Sequence, residues 1–275
     1  FQLFRKVHLS DDALTLVRQR IIVIALFTWL PLLLLSALEG RLLQGQSLQG
    51  QLLQETVVVP FLMDIEVHIR FLLVLPLLIA AELVVHRRMR TFIRLFIERH
   101  LVPDTARDQF DAAIASAFRL RNSVWTEVAL IGVVYVLGVF VIWRQFLALD
   151  TTTWYAMPAA EGSVLSYAGM WYGYVSLPFF QFLLCRWYFR LFIWARLLWR
   201  ISRIPLNLVP THPDRVGGLG FLGGTAYAFT LLAVAHGTLL AGSLANRIFF
   251  LGATLPEYKA EVAAVVFFME LIVIG

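Results

Sequence analysis

Two ionisable side chains lie deep inside apolar stretches of this 275-residue chain. His236 lies seven residues before the end of the apolar run 225–243, and Glu270 lies nine residues into the run that begins at 261. At a helical rise of about 1.5 Å per residue, their depths are about 10 and 13 Å. Histidine titrates near neutral pH and a neighbouring carboxylate shifts it, so the pair predicts a proton-linked or cation-binding site. The alternative is a buried hydrogen-bonded pair that fixes helix register.

Two further carboxylates lie closer to the ends of apolar runs. Glu82 precedes the basic run at 86–88 by about one helical turn, and Glu127 falls in the first turn of a predicted helix. We expect both to line a polar pathway through the membrane. Alternatively, Glu82 pairs with His86 or reaches the surface, and the helix dipole stabilises Glu127.

The stretch 211–224 has the sequence THPDRVGGLGFLGG, with five glycines in its last eight residues. Glycine permits backbone conformations closed to other residues, and the N–H groups at the start of the following helix favour an anion. The guanidinium group of an arginine in this stretch can donate two parallel hydrogen bonds to a phosphate or a carboxylate. The pattern predicts an anion site or gate formed by His212, Asp214, Arg215, Gly217, Gly218 and Gly220. A tight turn with Asp214 as a cap is the alternative.

A third group of polar residues occupies the segment 64–70. Interpreted as a helix, it places Asp64 four residues before His68, and Glu66 four residues before Arg70, which favours two ion pairs. Asp64, Glu66 and His68 are also side chains of the types that bind metals, although their spacing matches no established motif. They are candidate metal ligands. No cofactor is predicted.

Composition predicts the elements that position these residues. Hydrophobic residues make up 60% of the chain, charged residues only 15%, and the mean hydropathy is +0.76. Soluble domains are closer to half apolar and a quarter charged. The chain is therefore predicted to be one all-α, polytopic transmembrane bundle over 1–275, with about six spanning helices. The apolar runs are 21–38, 71–85, 124–143, 164–184, 225–243 and 261–275. The last run is shorter than the roughly 20 residues of a spanning helix, so we expect the chain to continue beyond 275.

The distribution of lysine and arginine predicts the orientation. Segments 1–20, 86–123 and 185–224 hold 18 of the 23 basic residues. Cytoplasmic loops carry such an excess, which predicts a cytoplasmic N-terminus in a bacterial-type inner (plasma) membrane. Within 86–123, an amphipathic helix is predicted between the second and third spans. Its apolar stripe consists of Phe110, Ala113, Ile114, Ala117 and Phe118.

These patterns leave two classes of function open. A transporter or ion channel, with a polar intramembrane pathway, is the first. The second is a non-catalytic subunit or sensor that binds protein partners through small-residue faces such as Gly169–Gly173 and Gly237–Ala241. An enzyme ranks third, because the sequence contains neither G-x-S-x-G nor H-E-x-x-H. The expected partners are anionic lipid at the cytoplasmic face and either further copies of the chain or a membrane complex, but not nucleic acid.

Overall fold

The structure, a computed structural model, describes residues 13–43, 59–143, 153–159 and 162–274. Helix α1 is Ala13–Leu38, α2 is Ile65–Glu98 and α3 is Arg107–Arg121. Helix α4 is Val124–Val133 with its π-helical continuation Val134–Trp143. Strands β1 (Ala156–Ala159) and β2 (Gly162–Leu165) follow. Helix α5 comprises Tyr167–Trp171, Tyr172–Ser176 and Leu177–Ile201; α6 is Thr225–Leu251 and α7 is Lys259–Ile274. The described chain is nearly all-α.

Three of the described helices are long and apolar enough to cross a membrane: Val17–Leu38, Ile65–Glu98 and Gly220–Phe250. A fourth span results if α3 and the first part of α4, which meet at a 50° bend, are counted together. The prediction of six spans is therefore supported only in this coarser form. Helix α7 has 16 described residues and is not among these candidate spans.

A β-hairpin replaces the predicted start of the fourth span. Strands β1 and β2 pair antiparallel, with Ala156 opposite Leu165 and Ala159 opposite Gly162. Val164 and Leu165 therefore lie in a strand, and α5 begins only at Tyr167. A short apolar run has the same composition in a strand and in a buried helix, so hydropathy did not separate the two.

Prolines account for two π-helical segments. Pro76 follows the π segment Ile69–Val74 of α2, and Pro178 follows Tyr172–Ser176 of α5. Proline has no N–H, so the carbonyl four residues earlier loses its helical donor. The carbonyl of Tyr174 accepts a hydrogen bond from the Tyr135 hydroxyl instead, at 3.2 Å.

The interior of the described part of the chain consists of two apolar clusters. The larger joins α1, α2, α5 and α6 around side chains such as Phe71, Leu75 and Leu232, each fully buried. The smaller joins the end of α2, α3 and the end of α5 around Phe96, Phe110 and Leu197. Helix α3 buries Phe110, Ala113 and Ala117 of the predicted stripe, whereas Phe118 is 43% exposed.

Candidate functional site

His236 is held inside the bundle by partners other than Glu270. It is only 8% exposed; its Nδ1 lies 2.7 Å from the Leu232 carbonyl oxygen and its Nε2 lies 2.7 Å from the Tyr188 hydroxyl. A carbonyl can only accept, so Nδ1 carries a proton, and Nε2 of a neutral ring accepts from Tyr188. Glu270 is exposed on α7. Both ring nitrogens thus have partners other than Glu270, so the structure does not pair the two residues, and a role for either in a polar pathway stays a prediction.

Glu82 forms an ion cluster with two arginines of α5. Its carboxylate Oε1 accepts from Arg190, and Arg186 lies 3.4 Å from the same oxygen. These side chains line a cavity of about 20 Å³, enough for about one water molecule. Glu127 lies in the first turn of α4, as predicted, and interacts electrostatically with Arg186. Glu82 and Glu127 thus share a basic partner.

Asp64 is a buried hydrogen-bonding centre at the start of α2. One carboxylate oxygen accepts from the Asn246 side-chain amide at 2.8 Å and from the Val67 N–H at 3.2 Å. The other accepts from the indole N–H of Trp154 at 2.8 Å. The Trp154 carbonyl in turn accepts from Ser166. Asp64 thereby ties the hairpin region to α2 and α6.

The other two proposed metal ligands have separate partners. The Glu66 carboxylate binds Arg70, as the helical interpretation of this segment predicted, and Arg70 also donates to the Tyr172 hydroxyl. Nδ1 of His68 lies 3.3 Å from the indole nitrogen of Trp29, from which it accepts a hydrogen bond. Among the described residues, no three His, Cys, Asp or Glu side chains are grouped to hold a metal ion. The proposal of a metal site at Asp64, Glu66 and His68 is therefore not supported.

The glycine-rich loop between α5 and α6 folds around Asp214. The backbone N–H groups of Val216, Gly218 and Gly220 donate to its carboxylate at 2.8–3.1 Å. Nδ1 of His212 lies 2.8 Å from Oδ1 of Asp214. Gly217 and Gly218 have φ of +70° and +97°, and Arg215 has φ of +59°. The sequence uses glycine at two of these positions because left-handed backbone is costly for other residues.

These contacts occupy the loop N–H groups that were predicted to bind an anion. Partial burial alone would raise the pKa of the Asp214 carboxyl, but the donors from Gly220, Gly218, Val216 and His212 outweigh it and hold that pKa well below its usual range. The amides of Val216, Gly218 and Gly220, which an external anion would need, already bind the protein's own carboxylate. The geometry favours the alternative, a turn organised by Asp214. Arg215 is exposed beside it.

The small-residue positions are used inside the chain. A Cβ on Gly169 would lie 2.0 Å from the carbonyl oxygen of Tyr155, and one on Gly237 would lie 3.0 Å from Cε of Met269 in α7. The absence of a side chain at Gly169 allows the backbone before the hairpin to pack closely, and its absence at Gly237 allows α7 to pack against α6. Both glycines therefore have neighbours within the chain, and binding of a partner through these faces stays a prediction.

Several residues of these clusters were not singled out from the sequence as parts of a site. They are Trp154, Tyr172, Tyr188 and Asn246, together with the two arginines that bind Glu82. Of these residues, only the two arginines could have been predicted to act together. Arg186 and Arg190 are four residues apart in the sequence and so lie on one face of a helix. The remaining partners come from distant segments, and their positions depend on tertiary packing.

Comparison of the chain with models of protein families, with curated proteins and with solved structures finds no match.

Proposed function

We propose that this chain is a non-catalytic subunit or sensor of a membrane protein complex and binds a partner helix along α7. The observation that supports this most is the position of Glu270. It is exposed on α7 among the apolar side chains of Val266, Phe267 and Leu271, which are 47%, 68% and 60% exposed. No ion pair or hydrogen bond joins Glu270 to another described side chain.

We propose that α7 lies in the membrane, where the cost of exposing the Glu270 carboxylate to lipid favours a partner. A charged group near the bilayer centre costs about 2.5–3.5 kcal/mol on insertion scales. The chain avoids that cost at Glu66 and Glu82 by providing arginines. At Glu270 we propose that the donor comes from another membrane polypeptide. A helix with a lysine, arginine or amide side chain at this depth has the required chemistry.

A photo-crosslinking amino acid at Phe267, beside Glu270, tests the proposal in native membranes. We expect one discrete adduct with another polypeptide, and Glu270→Leu should reduce its yield several-fold because the polar contact is lost. Glu270→Gln, which can still accept a hydrogen bond, should retain part of the yield. The same cross-linker at Tyr227 of α6, which is 69% exposed, is the matched control and should form no such adduct.

Two results would contradict the proposal: no adduct at Phe267, or an adduct whose yield is unchanged by Glu270→Leu. An adduct of twice the chain mass that depends on Glu270 would instead support the proposal with a second copy as the partner.

Transport is the second candidate function, and one observation favours it. The Glu82–Arg186–Arg190 cluster surrounds a cavity of about 20 Å³, which places charges and room for water together between α2 and α5. Purified chain in vesicles that contain a pH-sensitive dye distinguishes the two functions. Proton or chloride flux that exceeds protein-free vesicles and falls in Glu82→Gln would favour transport. Under the subunit proposal, flux equals that of protein-free vesicles.

A further inference from the structure

A basic cleft lies between α3 and α5, close to the start of α4. It is an open depression of about 310 Å³, lined by Ser116, Arg119, Leu120, Ser123 and Arg196. Two arginines and two hydroxyl groups therefore face one space, and none of the described carboxylates lines it. This combination of donors suits an anion with several oxygen atoms.

One of the two arginines is held in place by the protein. Nη1 of Arg196 donates to the Ser116 hydroxyl at 3.2 Å, which links α5 to α3 at the wall of the cleft. A guanidinium group carries five N–H donors in a planar fork, so one bond to a hydroxyl leaves donor capacity for a phosphate. Arg119, by contrast, is exposed at the opening.

The electrostatic surroundings of the cleft are also basic. Arg121 lies two residues beyond Arg119 and interacts electrostatically with Arg90 and Arg190. The nearby carboxylates, Glu82 and Glu127, interact with arginines of α5. Positive charge therefore exceeds negative charge around the cleft, which favours an anion.

The first turn of α4 adds to this preference. Helix α4 begins at Val124, after Ser123, whose side chain makes no capping hydrogen bond. The first N–H groups of a helix lack internal acceptors and carry the positive end of its dipole. Ser123 lines the cleft, so these N–H groups begin at its edge.

We propose that this cleft binds the phosphate group of an anionic phospholipid. Exposed apolar side chains next to the cleft identify lipid, rather than free phosphate, as the source of the anion. Val124 and Trp125, which directly follow the cleft residue Ser123, are 61% and 84% exposed, and acyl chains would cover them. Tryptophan is enriched at the level of lipid headgroups.

Native mass spectrometry of the detergent-solubilised full chain, titrated with phosphatidylglycerol, tests the site. We expect Arg196→Gln and Arg119→Gln each to weaken binding about fivefold, because a basic residue near an anionic surface contributes on the order of that ratio. The double variant should lose about 25-fold. Arg94→Gln is the matched control: Arg94 has a 73% exposed side chain outside the cleft, and its loss should leave the affinity unchanged.

Two further arms distinguish the source of the anion. Inorganic phosphate should compete only weakly, and Trp125→Ala should weaken phosphatidylglycerol binding without changing phosphate binding. If phosphate binds as tightly as the lipid and depends on both arginines, the cleft is an anion site but the lipid assignment is overturned. Equal affinities of the unaltered chain and the double variant for phosphatidylglycerol overturn the site. The melting temperature of each variant confirms that it is folded.

Discussion

Asp214 organises the loop between α5 and α6 through charge as well as geometry. The donors around it hold its pKa well below the usual value, so the ionised carboxylate stabilises the folded chain above about pH 4, the value of an unfolded aspartate. That contribution is lost as the pH falls through the lower, folded-state pKa. We expect Asp214→Asn to lower the melting temperature in detergent at pH 7, and the difference from the unaltered chain to shrink below about pH 4.

The control for this prediction is Asp104→Asn. Asp104 is exposed, and its removal tests the effect of one lost negative charge without loss of the loop contacts. A melting-temperature difference for Asp214→Asn that stays constant from pH 7 to pH 2 would show that the charge of Asp214 does not contribute.

His236 and Tyr188 should behave as a coupled pair. Hydrogen bonds between membrane helices are worth on average about 0.6 kcal/mol, with a maximum of about 1.7. We expect His236→Leu and Tyr188→Phe to destabilise the chain by less together than the sum of their separate effects. The comparison pair, His236→Leu with Glu270→Leu, should be additive. Unfolding in denaturant measures both cycles, and coupling only in the second would restore the His236–Glu270 pair.

At the scale of elements, the end of α2 shows how one residue sets a helix boundary. The N–H of Leu101 donates to the Phe96 carbonyl and that of His100 to Ile97, with His100 at φ of +52°. This is the Schellman arrangement, in which glycine is usual at the left-handed position. We expect His100→Gly to stabilise the chain by about 0.5–1 kcal/mol. His100→Ala, which keeps the steric cost, should give no gain in the melting temperature.

Two helical glycines should respond in opposite ways to alanine. The Cβ of Gly169→Ala would lie 2.0 Å from the Tyr155 carbonyl oxygen, which belongs to the backbone and cannot rotate away. We expect a loss of about 3 kcal/mol in the free energy of unfolding. Nothing lies within 4 Å of a Cβ on Gly132 in α4, so Gly132→Ala should be neutral or stabilising by about 1 kcal/mol. Equal melting temperatures for the two variants would contradict this assignment.

Long elements could be predicted from the sequence, and short ones could not. Helices α1 and α6 coincide with long apolar runs, and the helix starting at Ile65 was predicted from charge spacing. The hairpin was missed because its strands have four residues each. So short a segment shows no period that separates strand from helix.

At the scale of the whole molecule, α6 provides the sharpest test of topology. Thr211 and Thr254 are exposed on either side of it. In a Cys185→Ser background, we expect Thr254→Cys to react with an impermeant thiol reagent in intact cells. Thr211→Cys should react only after permeabilisation, because its side of the chain carries the excess of arginine. Labelling of both positions from the same side would mean that α6 does not cross the membrane.

The residues that form each polar cluster could not be predicted from the sequence, for a physical reason. Depth along a helix can be counted from residue numbers, and this placed His236 and Glu270 at similar levels. Residue numbers do not, however, tell which neighbouring helix each side chain faces. His236 faces Tyr188 of α5, and Glu82 faces Arg190 of the same helix. Both contacts depend on how α5 packs, which hydropathy does not encode.

The contact between Asp64 and Asn246 has a consequence for synthesis of the chain on the ribosome. The two residues are 182 positions apart, and Trp154, the other side-chain donor, is 90 positions after Asp64. At about 5–20 residues per second, Asn246 is made about 9–36 s after Asp64. Throughout that interval the start of α2 lacks its final donor. During that interval the Asp64 carboxylate has the Val67 N–H of its own helix as a donor, but the donors of α6 and of the hairpin region are added only later.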